Sequence, residues 1–278
     1  MRFSAVMNDS AAIDQFATYL TQVNRMCKKN CCVKIQPNGM TFMSSGNMSE
    51  SGHWFCLFIS KDGHLFRSFS FAGLDPSDPE KNYIYLEFAL DEMSRMLNKD
   101  HHHMKLKLAN NSHIGPYLRV ELQSPCSDLI VHEFMVRIIP SRSWDLYRQP
   151  TIGHLKMSIY MPPSKQILRL LHSLKSMKAK FVKFRSNNEG EMYIESNTDQ
   201  GQLSAYFSEL QNDRIESDSQ EDFATVRLMT NSVHQFYSAL PPLTRIKLNT
   251  ITDRMAEFKT FSHEEDAKIV FVVGNITE

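Results

Sequence analysis

An internal repeat is the feature that most limits how this 278-residue chain can fold. When residues 85–108 are placed beside residues 225–248, apolar side chains fall opposite apolar side chains: Leu86 with Val226, Phe88 with Leu228, Met93 with Val233, Met96 with Phe236, Leu97 with Tyr237, Leu106 with Ile246 and Leu108 with Leu248. Both segments have the pattern of a strand, a helix and a strand. Val33-Lys34-Ile35 aligns in the same way with Val182-Lys183-Phe184, and a strand and an amphipathic helix precede each triplet. Two copies are too few for a solenoid, so the repeat predicts two tandem, similar α+β domains.

The composition is that of an ordinary globular chain of about two domains. Hydrophobic residues make up 42% and charged residues 22%, which is enough apolar material for a core in each half. The 31 basic and 31 acidic residues cancel, and residues 1–140 hold 14 of each. A surface that binds nucleic acid must therefore arise from local segregation of charge.

The sequence carries no pattern typical of export or membrane insertion. Residues 1–7 lack the basic flank and apolar core of a signal peptide, and no apolar run reaches the roughly 18 residues that a membrane span needs. The five cysteines form an odd set without a Cys-x-x-Cys pair, which favours a reducing compartment. We expect a protein of the cytosol or nucleus that does not bind membranes.

Hydrophobic periodicity predicts an N-terminal domain over residues 1–140, a connector over 141–156 and a C-terminal domain over 157–278. Helices are predicted over residues 12–29, 163–178 and 230–240, with a further helix between the repeated strands near residue 95. Each domain then has about nine strands and two helices. The connector has no sustained periodicity, but it contains Trp144, Leu146 and Tyr147.

Three of the four predicted helices present positive charge away from their apolar faces. The charged positions are Arg25, Lys28 and Lys29 on the first helix, Arg95 and Lys99 on the second, and Lys165, Arg169, His172 and Lys175 on the third. The fourth helix has only His234. Such faces are either solvated surface or a track for a polyanion.

Short segments of the chain resemble a known family. Tandem domains of strands, each interrupted by two helices with basic outer faces, look like DNA sliding clamps of the proliferating-cell nuclear antigen type. Three groups of residues narrow this resemblance: Met1-Arg2-Phe3; Ile84-Tyr85-Leu86-Glu87 with Ser94-Arg95 and Leu106-Lys107-Leu108; and Ile139-Pro140 with Trp144, Pro150 and Ser158-Ile159-Tyr160-Met161-Pro162. They are similar to the Hus-one type of subunit of the heterotrimeric checkpoint clamp, the nine-one-one complex, over nearly the whole chain.

The resemblance implies an α+β DNA-clamp fold and a non-catalytic nuclear protein without a cofactor. Its partners would be two paralogous clamp subunits, Rad-nine-like and Rad-one-like, and an ATP-driven clamp loader. Double-stranded DNA would pass through the ring without sequence preference, and the basic helices would face it. The ring would mark damaged DNA and recruit checkpoint signalling and repair factors.

The resemblance also implies where neighbouring subunits and other partners would bind. Clamp subunits join when an edge strand of one N-terminal domain pairs with an edge strand of a neighbour's C-terminal domain. By element order, the two edge segments predicted to hold the subunit interface carry Leu129, Val131, Glu133 and Met135 in the first and Gln202, Ser204, Tyr206 and Ser208 in the second. The apolar residues of the connector, Trp144, Leu146 and Tyr147, are predicted to form a docking surface for partners, although a packing anchor is the more usual role of such a tryptophan.

Enzyme signatures are missing from the sequence. It has no phosphate-binding loop, no dinucleotide fingerprint, no nucleophile elbow and no His-Glu-x-x-His pair. The His101-His102-His103 run and the group Cys27, Cys31 and Cys32 lack the spaced ligands of a metal site, so no metal is expected. Two alternatives stay open: a homotrimeric replicative clamp, and a DNA-independent α+β adaptor whose basic helices are only solvated.

Overall fold

The computed structural model describes residues 1–27, 31–44, 52–97, 101–113, 115–125, 129–199, 201–213, 222–251, 255–261 and 266–274. The chain divides into two compact units. Unit 1 comprises residues 1–46, 56–148 and 263–268, and unit 2 comprises residues 47–55, 149–262 and 269–278. The described part contains no helix long and apolar enough to cross a membrane.

The first half of the chain holds ten described strands, two α-helices and one 3-10 helix. The strands are β1 (Arg2–Met7), β2 (Cys31–Gln36), β3 (Gly39–Ser44), β4 (His53–Ser60), β5 (Ser68–Ala72), β6 (Ile84–Phe88), β7 (His103–Asn111), β8 (Gly115–Gln123), β9 (Ile130–Met135) and β10 (Arg137–Ile138). The helices are α1 (Ser10–Met26), α2 (Leu90–Met96) and the 3-10 helix Ser141–Tyr147.

Two antiparallel sheets form unit 1, with the orders β5-β1-β7-β8-β9 and β10-β6-β2-β3-β4. Helix α1 begins where the Asp9 side chain accepts a hydrogen bond from the Ala11 amide, 3.3 Å away. Its apolar stripe buries Phe16, whose ring packs edge-on against Phe42 of β3 and against Phe66. These contacts hold the helix on the sheet and build the core of the unit.

A two-residue loop, Pro37-Asn38, joins β2 to β3, since Gln36 pairs with Gly39 in the ladder. Gly39 adopts φ +148, and a Cβ atom there would lie 2.1 Å from the carbonyl oxygen of Ile59. Only glycine fits this turn, because both the backbone angle and the available space exclude a side chain. The local sequence thus explains the geometry of this hairpin.

The second half holds nine described strands and two α-helices. The strands are β11 (Leu155–Tyr160), β12 (Phe181–Ser186), β13 (Met192–Thr198), β14 (Gly201–Phe207), β15 (Asn212–Asp213), β16 (Ala224–Met229), β17 (Arg245–Ile251), β18 (Met255–Phe261) and β19 (Ala267–Gly274). The helices are α3 (Ser164–Ser176) and α4 (Thr230–Ala239).

Unit 2 repeats the two-sheet plan, with the orders β14-β13-β12-β16 and β19-β18-β17-β11-β15. An aromatic cluster fills its core. The Phe236 ring of α4 stacks on Phe271 with centroids 4.6 Å apart, and Phe258 lies against both rings. Burial of three such rings supplies a large share of the apolar area that stabilises the unit.

The tandem repeat predicted from the sequence is confirmed by the element positions. Strands β6 and β16 begin at Ile84 and Ala224, and helices α2 and α4 begin at Leu90 and Thr230, in each case 140 residues apart. The first helix ends at Met26 in the structure, earlier than the predicted Lys29. Gln22 was placed on the exposed face of that helix, but it is buried, with 4% of its surface accessible.

Candidate DNA-facing, subunit and docking surfaces

Helix α3 carries the clearest cationic face in the described part of the chain. Ile167, Leu171 and Leu174 are buried on its inner side. The predicted DNA-facing residues of this helix are all exposed: Lys165, Arg169, His172 and Lys175. No acidic residue lies within Ser164–Ser176, so no carboxylate of the helix offsets the charges of this face. The helix itself therefore adds no negative charge that would weaken the attraction of this face for an anion.

A histidine pair joins the α3 face to helix α4. His172 Nδ1 lies 3.2 Å from His234 Nε2, and the two rings meet edge-on with centroids 4.6 Å apart. Partial burial lowers the pKa of His234, and the positive charges of Lys175 and His172 lower it further. Since α4 has no lysine or arginine, His234 is its only cationic candidate on this surface.

The helices of unit 1 are less basic than their cations suggested. Arg95 is exposed, but it forms an ion pair with Asp91 one turn earlier, and Asn24 of α1 donates to the same carboxylate over 3.2 Å. Both side chains of this ion pair are exposed, so it offsets the charge of Arg95 only in part, and the DNA-facing role of Arg95 stays a prediction. The spacing of four residues between Asp91 and Arg95 was readable from the sequence. Arg25 is exposed in the last turn of α1, whereas Lys28, Lys29 and Lys99 lie outside the described residues.

Strand β9 lies at one end of its sheet in unit 1. It pairs on one side with β8, from Ile130 opposite Leu122 to Met135 opposite Tyr117, and the order places no described strand on its other side. Leu129, Val131 and Met135 are 53%, 39% and 53% exposed, and Glu133 is exposed between them. An unpaired strand edge with apolar side chains is a template for another strand.

Strand β14 lies at the end of the four-stranded sheet of unit 2 and pairs on its inner side with β13. Gln202, Ser204 and Tyr206 are exposed on the strand, and Ser208 is exposed just after it. Tyr206 is held in place because its hydroxyl donates to Glu191 Oε1 over 2.6 Å. Both segments predicted to carry the subunit interface thus contain edge strands; their pairing with neighbours stays a prediction.

Trp144 is a packing anchor of the connector. Only 8% of its surface is exposed; its indole stacks on Tyr85 with centroids 4.9 Å apart, and its Nε1 donates to the Ile139 carbonyl over 3.0 Å. The prediction that Trp144 contacts a partner directly is therefore wrong, because the surface it would use is already covered. An amphipathic ring with one donor is well suited to this role.

The other two connector residues remain accessible. Leu146 is 52% exposed and Tyr147 is half-buried, with its ring 6.3 Å from that of Tyr85. The Lys34 ammonium lies 3.9 Å from the centroid of Tyr83 in the same region. Desolvation and the nearby charge of Arg148 lower the pKa of Lys34, and burial raises the pKa of Tyr85 to about 12. Nothing in the sequence indicated that Lys34 lies near the connector, because the two are far apart along the chain.

The histidine run does not converge on a common point. His101 is buried and its Nδ1 lies 3.0 Å from Ser124 Oγ, whereas His103 Nδ1 lies 2.7 Å from Asn8 Oδ1. Cys27, Cys31 and Cys32 are buried thiols, and desolvation raises the pKa of Cys32 well above its ordinary value. Within the described ranges, no three histidine, cysteine or acidic side chains are grouped as metal ligands would be.

Comparison with known sequences matches almost the entire chain to one family. The model of the family described as Hus1-like protein matches residues 1–271. The human checkpoint protein HUS1 is 24% identical over 284 aligned residues, which cover 98% of this chain and 99% of the human protein.

Solved structures with the same fold include three proliferating-cell nuclear antigens. The protein from Entamoeba histolytica superposes with a TM-score of 0.73 at 13% identity, covering 99% of both chains. A. fulgidus PCNA, solved with the C-terminal region of FEN-1, gives a TM-score of 0.68 at 13% identity, covering 99% of both chains. That from Thermococcus kodakaraensis gives 0.68 at 10% identity, covering 99% of this chain and all of the other. The chain therefore has the DNA-clamp fold.

Proposed function

This chain belongs to the Hus1-like protein family, and we propose that it is a non-catalytic subunit of a heterotrimeric checkpoint sliding clamp. Two paralogous subunits, Rad-nine-like and Rad-one-like, complete the ring. In the nucleus, an ATP-driven loader places the ring on double-stranded DNA at sites of damage, where it recruits signalling and repair factors. Family membership favours this role over a homotrimeric replicative clamp.

One observation carries the proposal: among the described residues, each unit ends one of its sheets in a strand that has a neighbour on one side only. β9 ends a sheet of unit 1 and β14 ends a sheet of unit 2. A ring of subunits needs two different edges on each chain, one for each neighbour, because a head-to-tail interface closes only when complementary surfaces alternate. Backbone hydrogen bonds across such edges would give affinity, and side chains such as Met135 and Tyr206 would give specificity.

DNA would be held in the ring by long-range electrostatic attraction. The α3 face supplies mobile cationic side chains that can contact phosphates without reading bases. Contacts of this kind are weak individually, and they exchange readily between neighbouring phosphates. A ring that relies on them stays on DNA by topology while it remains free to slide.

Partners would bind on the exposed part of the connector. Leu146 is an exposed apolar side chain next to the half-buried Tyr147, and the buried Trp144 fixes the backbone below them. Exposed apolar side chains on a rigid support favour protein docking. We expect Leu146→Asp to weaken capture of a repair or checkpoint factor by the assembled ring, while gel filtration of the ring is unchanged. Leu74→Asp, at an exposed leucine of the same unit, is the control; equal losses for both variants would contradict docking at the connector.

Edge-strand pairing is tested by one proline in each edge. A proline at Val131 in β9 or at Ala205 in β14 removes a backbone donor and should release one neighbour while the other stays bound. Val131→Thr and Ala205→Ser keep the donor and serve as matched controls. The readout is size-exclusion chromatography of the three co-expressed subunits, with thermal melting of each purified chain as a test of folding.

Three outcomes separate the alternatives. Folded proline variants that keep the complete heterotrimer would refute the edge assignment. A purified chain that forms a trimer with itself would identify a homotrimeric clamp. An assembled complex that is indifferent to DNA at every salt concentration would identify an adaptor whose basic helices are only solvated.

A further inference from the structure

An open cavity of about 850 Å³ lies within unit 2, where the end of helix α3 meets the four-stranded sheet. Four cationic side chains line it: Lys178, Lys180, Lys183 and Arg227. Lys178, Lys180 and Lys183 are exposed, and Arg227 is half-buried. These four cations lie outside the DNA-facing set, the edge strands and the connector, although Gln202 of edge strand β14 also lines the cavity.

The sheet register brings two of these cations directly together. Lys183 of β12 pairs with Arg227 of β16 in the antiparallel ladder, and neighbouring residues Val182, Phe184, Val226 and Leu228 are buried on the opposite face. On its other side Lys183 pairs with Glu195 of β13, so the three charged residues stand in a row across the sheet. An anion bound beside Lys183 and Arg227 would contact both cations.

Local structure sets the backbone at Lys178 and the side chain of Arg227. The turn that ends α3 is closed by the Ala179 amide, which donates to the Leu174 carbonyl over 2.9 Å, and it places Lys178 in the left-handed region at φ +56. The Arg227 guanidinium lies 4.5 Å from the centroid of the Phe181 ring. This contact restricts the Arg227 side chain and reduces the entropy that it loses when an anion binds.

The cavity is not uniformly positive. Glu195 and Asp199 line it as well, and Glu195 lies 3.7 Å from Arg185. A duplex carries a charge every 1.7 Å along its axis, so it would bring phosphates against these carboxylates as well as against the cations. A ligand with one concentrated anionic group and amide donors beside it fits the charge pattern better.

We propose that this cavity binds a phosphorylated side chain within a peptide segment of a partner protein. A phosphoserine or phosphothreonine carries nearly two negative charges and three strong acceptor oxygens, which suit converging lysine and arginine side chains. The carboxylates would accept hydrogen bonds from the peptide backbone next to the modified residue. This binding needs no DNA, so it extends the proposed function.

Fluorescence anisotropy on the full chain tests the proposal with a short labelled peptide that contains phosphoserine between uncharged residues. The pocket variant Lys183→Gln/Arg227→Gln should weaken binding by about tenfold for each cation removed. Lys165→Gln/Arg169→Gln on α3 removes the same number of charges elsewhere and should leave peptide binding unchanged. Thermal melting checks that the pocket variant is folded, and Lys183→Gln alone is used if the double variant is unfolded.

The outcomes discriminate between ligand classes. Loss of binding on dephosphorylation of the peptide, together with loss in the pocket variant, supports the site. Equal binding of the unphosphorylated peptide, equal binding by wild type and pocket variant, or no binding by the wild type would each overturn it. If the pocket variant binds duplex DNA more weakly than the α3 variant does, the cavity is a DNA contact and the phosphopeptide proposal is wrong. If only the α3 variant loses DNA binding, the proposal is unaffected.

Discussion

Removal of the α3 charges is the most direct test of the DNA-facing role. The triple substitution Lys165→Ala, Arg169→Ala and Lys175→Ala takes three exposed cations from a helix with no acidic residue. Lys165 and Lys175 are ten residues apart, which is about 15 Å along a helix and spans about four phosphates of one strand. The three side chains can therefore reach different phosphates.

The size of the effect follows from counterion release. Each phosphate contact contributes about 0.9 to the slope of log affinity against log salt concentration on duplex DNA, so the triple variant should lose up to about 2.7. Over a fourfold rise in salt, that difference amounts to roughly fortyfold in affinity. Unfolding free energy should change by less than about 0.5 kcal/mol for each exposed substitution.

The assay is the salt dependence of duplex binding by the assembled complex, measured by fluorescence anisotropy. Arg95→Ala is the matched control, because the charge of Arg95 is offset in part by Asp91, and its effect on the slope should be smaller than that of any single α3 substitution. An unchanged slope in the triple variant would refute the role of α3 in binding DNA. A slope change for Arg95→Ala as large as that for Arg169→Ala would refute the reasoning about charge compensation.

Two predictions concern stability. Trp144→Ala should lower the free energy of unfolding by about 3–5 kcal/mol in urea titrations, because it removes the ring stacked on Tyr85 and leaves the Ile139 carbonyl without its donor. A loss below about 1 kcal/mol would contradict the anchor role of Trp144. The pKa of His234 is lowered in the folded chain, so the unfolded chain binds more protons as pH falls below about 6.5, and stability should fall with it. The groups that face the His234 ring are Lys175, His172 and Ser238. His234→Gln should flatten this part of the pH profile in thermal melts. An unaltered profile would exclude His234 as the source of the pH dependence.

Much of the fold could be predicted from the sequence because it depends on local periodicity. The apolar stripe of α3 and the strand-helix-strand unit that recurs after 140 residues follow from side-chain spacing alone. The hairpin at Pro37-Asn38 also depends on the local sequence, because the glycine that follows tolerates a backbone angle of φ +148. The exposed cations of α3 also needed only the helical period.

Tertiary structure decided which of the candidate residues are available. Tyr85 covers Trp144, and Gln22 faces inward although its helical position suggested otherwise. The pairing of Lys183 with Arg227 joins residues that are far apart in sequence, and only the strand register makes them neighbours. Periodicity assigns a side chain to a face of its own element. Whether that face is solvated, covered or neutralised depends on what packs against it, and long-range contacts of that kind leave no mark on the local pattern.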